Sequence, residues 1–204
     1  MTSQEATQRR PPLSTRDLVV PFEGALSPEL CREIIEHFDR DTRQYRSRTA
    51  AGEGTGRQGT MVNMSETGWE DLKRQVTEAC VARMHDYAGR HSALEFILRW
   101  EQIQLSSPVI ERVDPGQEFP WHIDSGPKRT YQRFLSALTY LNDIEDGGCT
   151  EFPDQGLDLA PRAGTMVIFP PYWMFPHRGA PPLKTTKYKL TAYFTIVEPA
   201  QGTS

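Results

Sequence analysis

The sequence predicts an α+β protein in which a helical N-terminal layer supports a mostly antiparallel double sheet, folded as a sandwich or barrel. Two amphipathic helical patterns occupy the first half of the chain. From about residue 100, short runs rich in Val, Ile, Leu, Thr and aromatic residues alternate with Gly, Pro and Asp turns. Strands at that spacing argue against βαβ units, and no internal repeat is present. With 204 residues, 37% hydrophobic and 25% charged, the chain suits one domain whose core needs no covalent staples.

Residues 1–16 are polar and carry Arg9, Arg10, Pro11 and Pro12, which predicts a disordered tail. The domain is expected over 17–199, with a short tail at 200–204. The apolar run Leu18 to Phe22 predicts a strand. LSPELCREIIEHF then predicts a helix with Ser27 as N-cap, Pro28 in the first turn, and Leu30, Ile34, Ile35 and Phe38 on one face. The Gly-rich stretch 46–60 has no apolar period and reads as a mobile loop. A second helix is expected from TGWE, with Thr67 and Glu70 as a capping box and Trp69, Leu72, Val76, Cys80, Met84 and Tyr87 as its buried stripe. His37, His85 and His91 have no partners at ligand spacing and are expected at the surface. The predicted strands are WEQIQL, VIERV, EFPWHID, FLSALTYLN, TEFP, GTMVIFP and YKLTAYFTIV.

A net charge of -4 without a basic stripe argues against nucleic-acid binding. No apolar run approaches a membrane span, and the first residues lack the apolar stretch of a signal sequence. Cys31, Cys80 and Cys149 are odd in number and scattered, so no disulfide framework is expected. Together these features predict a soluble cytoplasmic protein with no membrane or nucleic-acid partner.

The chemistry centres on FPWHIDSG at 119–126. Residues two apart on a strand share a face, so His122 and Asp124 are expected to project together as neighbouring metal ligands. A third ligand from another strand makes a two-histidine, one-carboxylate face that leaves three octahedral positions of Fe(II) open. His177 stands between two strand-like runs, after an aromatic and proline-rich segment, where such a ligand would fit. Ten residues on is Lys187, on a strand whose alternation turns Lys187 and Lys189 to one face. A lysine pointing into a barrel is costly unless it meets a fixed anion, and a dicarboxylate cosubstrate supplies one.

The segment from Ile110 to Val197 resembles the iron- and 2-oxoglutarate-dependent oxygenases, in their prolyl 4-hydroxylase-like branch. The resemblance is carried by HID (122–124), RFLSALTYLNDIEDGGCTEFP (133–153), PRAGTMVIFP (161–170) and HRGAPPLKTTKYKLTAYF (177–194). It implies a double-stranded β-helix, the jelly-roll or cupin-like barrel, with supporting N-terminal helices and a single oxygenase domain. It implies His122, Asp124 and His177 as iron ligands and Lys187 as the partner of the far carboxylate of 2-oxoglutarate. Thr139 falls where the family places a hydroxyl on that carboxylate, an assignment that a one-residue register slip would transfer to Tyr140. The implied cofactors are Fe(II), 2-oxoglutarate and O2, with ascorbate as reductant. The implied reaction hydroxylates an unactivated C–H bond of an amino-acid-like small molecule or a peptidyl residue such as proline, releasing succinate and CO2.

Val113 departs from the family pattern, standing where many relatives have a pocket tyrosine. Asp124 favours hydroxylation over halogenation, because halogenating relatives carry a small residue there. The Gly-rich 46–60 loop and SGPKRTYQR (125–133), with Lys128, Arg129 and Arg133, are candidate recognition elements. Trp121, Tyr172, Trp173 and Phe175 fit either a substrate wall or sheet core, and the Gly147–Gly148 turn reads as a tight bend. Two other readings remain open: a zinc hydrolase using Glu118 or Glu151 as general base, and a non-catalytic metal- or ligand-binding jelly roll.

Overall fold

A computed structural model of the chain describes residues 14–47, 58–100, 102–126 and 130–197. The first helix forms as the punctuation requires. α1 (Pro28–Arg40) follows β1 (Val20–Phe22), the Ser27 hydroxyl accepts the Leu30 N–H, and Cys31, Ile34 and Phe38 are buried. A 3-10 turn over Thr15–Leu18 precedes them, capped by Ser14 and held by Arg16, whose guanidinium donates to the Gln155 and Gly156 carbonyls. Ser14, Thr15 and Arg16 therefore belong to the folded part, three residues before the expected boundary. The rest of the expected tails lies outside the described residues, as do 48–57 of the Gly-rich loop and Lys128 and Arg129.

The short β2 (Tyr45–Arg46) and β3 (Thr60–Asn63) flank that loop, and α2 (Glu70–Ala88) follows. Its predicted stripe is correct: Trp69, Leu72, Val76, Cys80, Met84 and Tyr87 are all buried. The predicted capping box does not form. Gly68 turns the chain at a positive φ, the helix starts at Glu70, and the Glu70 carboxylate accepts the Gly68 N–H. Trp69 instead fixes this end by burying its ring and donating its indole N–H to Asp41. α3 (Ser92–Trp100), which the sequence reading did not assign, brings Leu94, Ile97 and Leu98 against the core, at helical spacing. His85 is exposed as expected. His37 and His91 are half-buried, packed against Trp69 and Tyr87.

The remaining strands are β4 (Gln102–Leu105), β5 (Val109–Val113), β6 (Phe119–His122), β7 (Arg133–Tyr140), β8 (Thr150–Phe152), β9 (Leu157–Leu159), β10 (Met166–Phe169), β11 (His177–Gly179) and β12 (Lys187–Val197). The larger sheet runs β1-β10-β7-β12-β5-β3-β2, with β4 also paired to β12; the smaller runs β6-β11-β8-β9. All pairings are antiparallel, and the two sheets form the double-stranded β-helix. The larger sheet buries its outer face, including Ile110, Leu135, Ala137, Leu190 and Phe194, beneath the helices. Between the sheets lies a second, smaller core of Leu138, Tyr140, Phe152, Val167, Phe169 and Phe175. The three cysteines are free, and no helix among the described residues is long and apolar enough to cross a membrane.

Candidate metal centre and adjoining pocket

His122 ends β6 and pairs directly with His177 at the start of β11, placing the two imidazole centroids 4.2 Å apart. The strand stops at His122, so Asp124 arrives through a bend rather than through continued strand alternation. Backbone contacts hold that bend: Ser125 N–H donates to the Pro171 carbonyl, and the Arg133 guanidinium donates to the Asp124 carbonyl at 2.7 Å. His122 Nε2 then lies 3.4 Å from Asp124 Oδ1, and His177 Nε2 lies 3.7 Å from Oδ2. One donor atom from each residue falls within 4.8 Å of the others, and among the described residues this is the one such cluster.

The surroundings orient each donor. The two Nδ1 atoms hydrogen-bond the Pro120 and Phe175 carbonyls at 2.9 and 3.0 Å. As Nδ1–H donors they leave both Nε2 lone pairs facing Asp124, the second-layer arrangement that fixes a metal-binding histidine. Ser136 Oγ donates to Asp124 Oδ2 at 2.7 Å, and Tyr193 Oη reaches Oδ1 at 3.3 Å. Burial opposes the charge on Asp124, but His177, His122 and the Ser136 hydrogen bond outweigh it and hold the carboxyl far below its usual range. Burial pushes the His177 imidazole down to about 4 against the pull of Asp124, so its lone pair is available at neutral pH. His122 Nε2 is buried with no hydrogen-bond partner. An orphaned nitrogen beside an ionised carboxylate and a second imidazole fits a divalent ion with Fe(II)-like preferences.

From these residues a pocket runs inwards past Leu138, Phe169 and Thr191 to Lys187. Lys187 is 2% exposed and donates to the Gly148 carbonyl. Burial, and then Lys189, push its amine down to about 7. The Gly147–Gly148 turn thus has a role that sequence reading missed. Both glycines have positive φ, and a Cβ on Gly148 would meet Ile144 at 3.0 Å, so the turn can place that carbonyl only without side chains.

Thr139 does not line this pocket. On β7, Ser136, Leu138 and Tyr140 face the interior, whereas Leu135 and Ala137 join the helix-side core, as does Leu141 just past the strand, and alternation puts Thr139 with the latter. The threonine that lines the pocket is Thr150, whose hydroxyl accepts the Tyr140 phenol at 2.7 Å. Val113 is buried opposite Lys187 across β5 and β12. Phe175 is core, while Trp121 and Trp173 are exposed. Arg133 stacks 3.6 Å over the Tyr193 ring. Ser136, Tyr193 and Thr150 could have been found from sequence only as same-face positions on already registered strands. Glu151 is paired to Arg178 at 2.6 Å, and neither it nor Glu118 lines the pocket, so neither candidate base of the zinc-hydrolase reading stands beside the site.

The fold and site together define a jelly-roll protein with a buried two-histidine, one-carboxylate centre beside a cationic pocket. Residues 108–195 match the 2OG-Fe(II) oxygenase superfamily. A probable prolyl 4-hydroxylase 9 of Arabidopsis thaliana is 29% identical over an alignment of 195 residues covering 81% of this chain. The chain spans 61% of that relative's length. Among solved structures, the viral collagen prolyl hydroxylase of Paramecium bursaria Chlorella virus-1, in a 2OG complex, superposes with a TM-score of 0.66 at 18% identity, covering 89% of this chain and 97% of that one. A Trichoplax adhaerens prolyl hydroxylase, bound to a hypoxia inducible factor peptide fragment, superposes with a TM-score of 0.70 at 15% identity, covering 88% and 84%. Identities this low establish the fold. The family match adds a likeness to the 2OG-Fe(II) oxygenase superfamily over residues 108–195, somewhat less than half of the chain.

Proposed function

We propose that this chain is an Fe(II)/2-oxoglutarate-dependent hydroxylase acting on a prolyl residue of a peptide. The carrying observation is the orphaned, buried His122 Nε2, aimed with His177 Nε2 at the ionised Asp124. His122, Asp124 and His177 are the iron ligands in this reading. Iron bound there supplies O2 activation coupled to conversion of 2-oxoglutarate to succinate and CO2, with hydroxylation of a C–H bond. The chain's own groups set the geometry. The Pro120 and Phe175 carbonyls fix the histidine tautomers, Ser136 and Tyr193 hold the two carboxylate oxygens, and Lys187 receives the far carboxylate of 2-oxoglutarate. Phe169, Phe152 and Leu138 keep bulk water from the interior.

The relatives support a peptide substrate, and the surface agrees with it. Trp121 and Ile123, which flank His122, and Trp173 and Met174, which precede His177, are exposed. Exposed aromatic and aliphatic side chains beside the site offer an apolar track for an extended chain. A free amino-acid-like substrate is the other reading. Adding Fe(II) and 2-oxoglutarate to metal-free protein without oxygen should give a visible charge-transfer band that needs both components. Succinate release on adding oxygen should then be stimulated by proline-containing peptides. No band despite bound iron removes the assignment; stimulation by free amino acids alone removes the peptide.

A further inference from the structure

The interior carries a second lysine. Lys189 is 6% exposed and lines the pocket two residues along β12 from Lys187. Directly opposite on β5 is Glu111, 1% exposed, whose carboxylate pairs with the Lys189 ammonium. Ser47 Oγ donates to the other oxygen of that carboxylate at 2.6 Å. Lys189 and Ser47 thus each hold one oxygen of the Glu111 carboxylate, and the Lys189 ammonium lies 5.7 Å over the Phe119 ring that stacks on His122.

Two buried charges in a cavity wall call for a reason. A buried ion pair is no more stabilising than a well-packed apolar pair of similar volume, and buried charge in a cleft marks a binding site. β12 orders its inward side chains along the pocket: Lys187 at the deep end, then Lys189, Thr191 and Tyr193, with Tyr193 touching Asp124. Same-face neighbours on a strand are about 6–7 Å apart. Lys189 thus stands one step from Lys187 towards the metal centre, and its charge is felt by both Lys187 and His177. A dicarboxylate reaching from Lys187 to the metal passes Lys189.

The geometry points to Lys189 as a second cationic contact for 2-oxoglutarate, at the carboxylate nearer the metal, held in position by Glu111 and Ser47. This rests on the proposed cosubstrate. Lys187 anchors the far end, and Lys189 supplies the positive potential that a wall with Val113 in place of a hydroxyl-bearing side chain lacks. Glu111 is a positioning residue.

The test separates a binding lysine from a structural ion pair. Iron-loaded, oxygen-free protein is titrated with 2-oxoglutarate through the charge-transfer band, and the melting temperature of each metal-free variant is recorded. The double variant Glu111→Leu/Lys189→Met leaves no orphaned charge, so it should melt near the wild type and yet bind 2-oxoglutarate roughly tenfold more weakly, as for one lost charged hydrogen bond. Glu111→Gln, which keeps the lysine and loses only the charge that positions it, should weaken binding less than Lys189→Met. Wild-type affinity in the double variant overturns the role of Lys189 and leaves the oxygenase reading intact. Equal weakening by Glu111→Gln and Lys189→Met, recovered in the double variant, assigns the pair to structure alone and overturns it too. A wild type without any band removes the oxygenase reading, and this inference with it.

Discussion

β7 and β12 each present two faces, and the two are built by opposite rules. Towards the helices, Leu135, Ala137, Leu190, Ala192 and Phe194 form a dry surface. Towards the interior, the same strands present Ser136, Tyr140, Lys187, Lys189, Thr191 and Tyr193. The outer face stabilises the fold through burial of apolar area. The inner face gives some of that up: a lysine at 2% exposure loses its hydration, and one carbonyl only partly restores it. Alternation lets a single strand carry both, so stability and chemistry are separable by substitutions one residue apart.

That separation is testable at its extremes. His177→Ala removes a proposed ligand from the inner set and should abolish iron binding and turnover, measured by metal content and succinate release. Its melting temperature without metal should change little by comparison. Phe194→Ala, on the outer face, should destabilise by about 3–5 kcal/mol through the cavity it leaves, while the fraction that stays folded retains its iron affinity. A Phe194→Ala protein of normal stability, or a fully stable one that cannot bind iron, would break the division between the faces.

Smaller effects sharpen it. Lys187→Met should weaken 2-oxoglutarate binding by roughly 10–100-fold, the range of one charged hydrogen bond, without lowering the melting temperature, because a desolvated amine is replaced by an apolar side chain. Unchanged affinity would remove Lys187 from the cosubstrate site. Ser136→Ala takes away the 2.7 Å hydrogen bond to Asp124 and should weaken iron binding about tenfold, the low end for an outer-layer partner of a metal ligand. Tyr193→Phe should do less, since its contact is longer at 3.3 Å.

The two faces also differed in how much the sequence disclosed. Apolar periodicity identified the stripe of α2 and the strand runs because burial of a face repeats along an element. α3 went unassigned although Leu94, Ile97 and Leu98 keep helical spacing, because its apolar residues run on into the strand-rich half. The His122–Asp124 pair and His177 were legible from residue type and order, and the structure brings all three together. Their supports were not. Ser136, Thr150, Tyr193 and the Gly148 carbonyl depend on which residues face each other after pairing, and a one-residue error in β7 was enough to put Thr139 in the wrong layer. Asp124 was expected on the correct side by an incomplete argument, since a bend rather than strand alternation carries it there.

The smallest effect follows from the proton on Lys187. Burial sets its folded pKa near 7, below the 10.5 of an ordinary lysine. Below pH 7 both folded and unfolded chains hold the proton, and the folded state bears the full burden of a buried cation. Between 7 and 10.5 the folded chain sheds the proton while the unfolded chain keeps it, so this group makes stability rise with pH in that window. The proposed cosubstrate would act in the opposite sense. A carboxylate beside Lys187 favours the charged amine, so binding near pH 8 should draw a proton from solution, and affinity should decline as pH increases above 7. Calorimetric titrations of 2-oxoglutarate in buffers of different ionisation enthalpy measure that uptake directly. A fraction of a proton taken up per site, absent in Lys187→Met, ties it to this amine; equal uptake in both proteins assigns it elsewhere in the pocket.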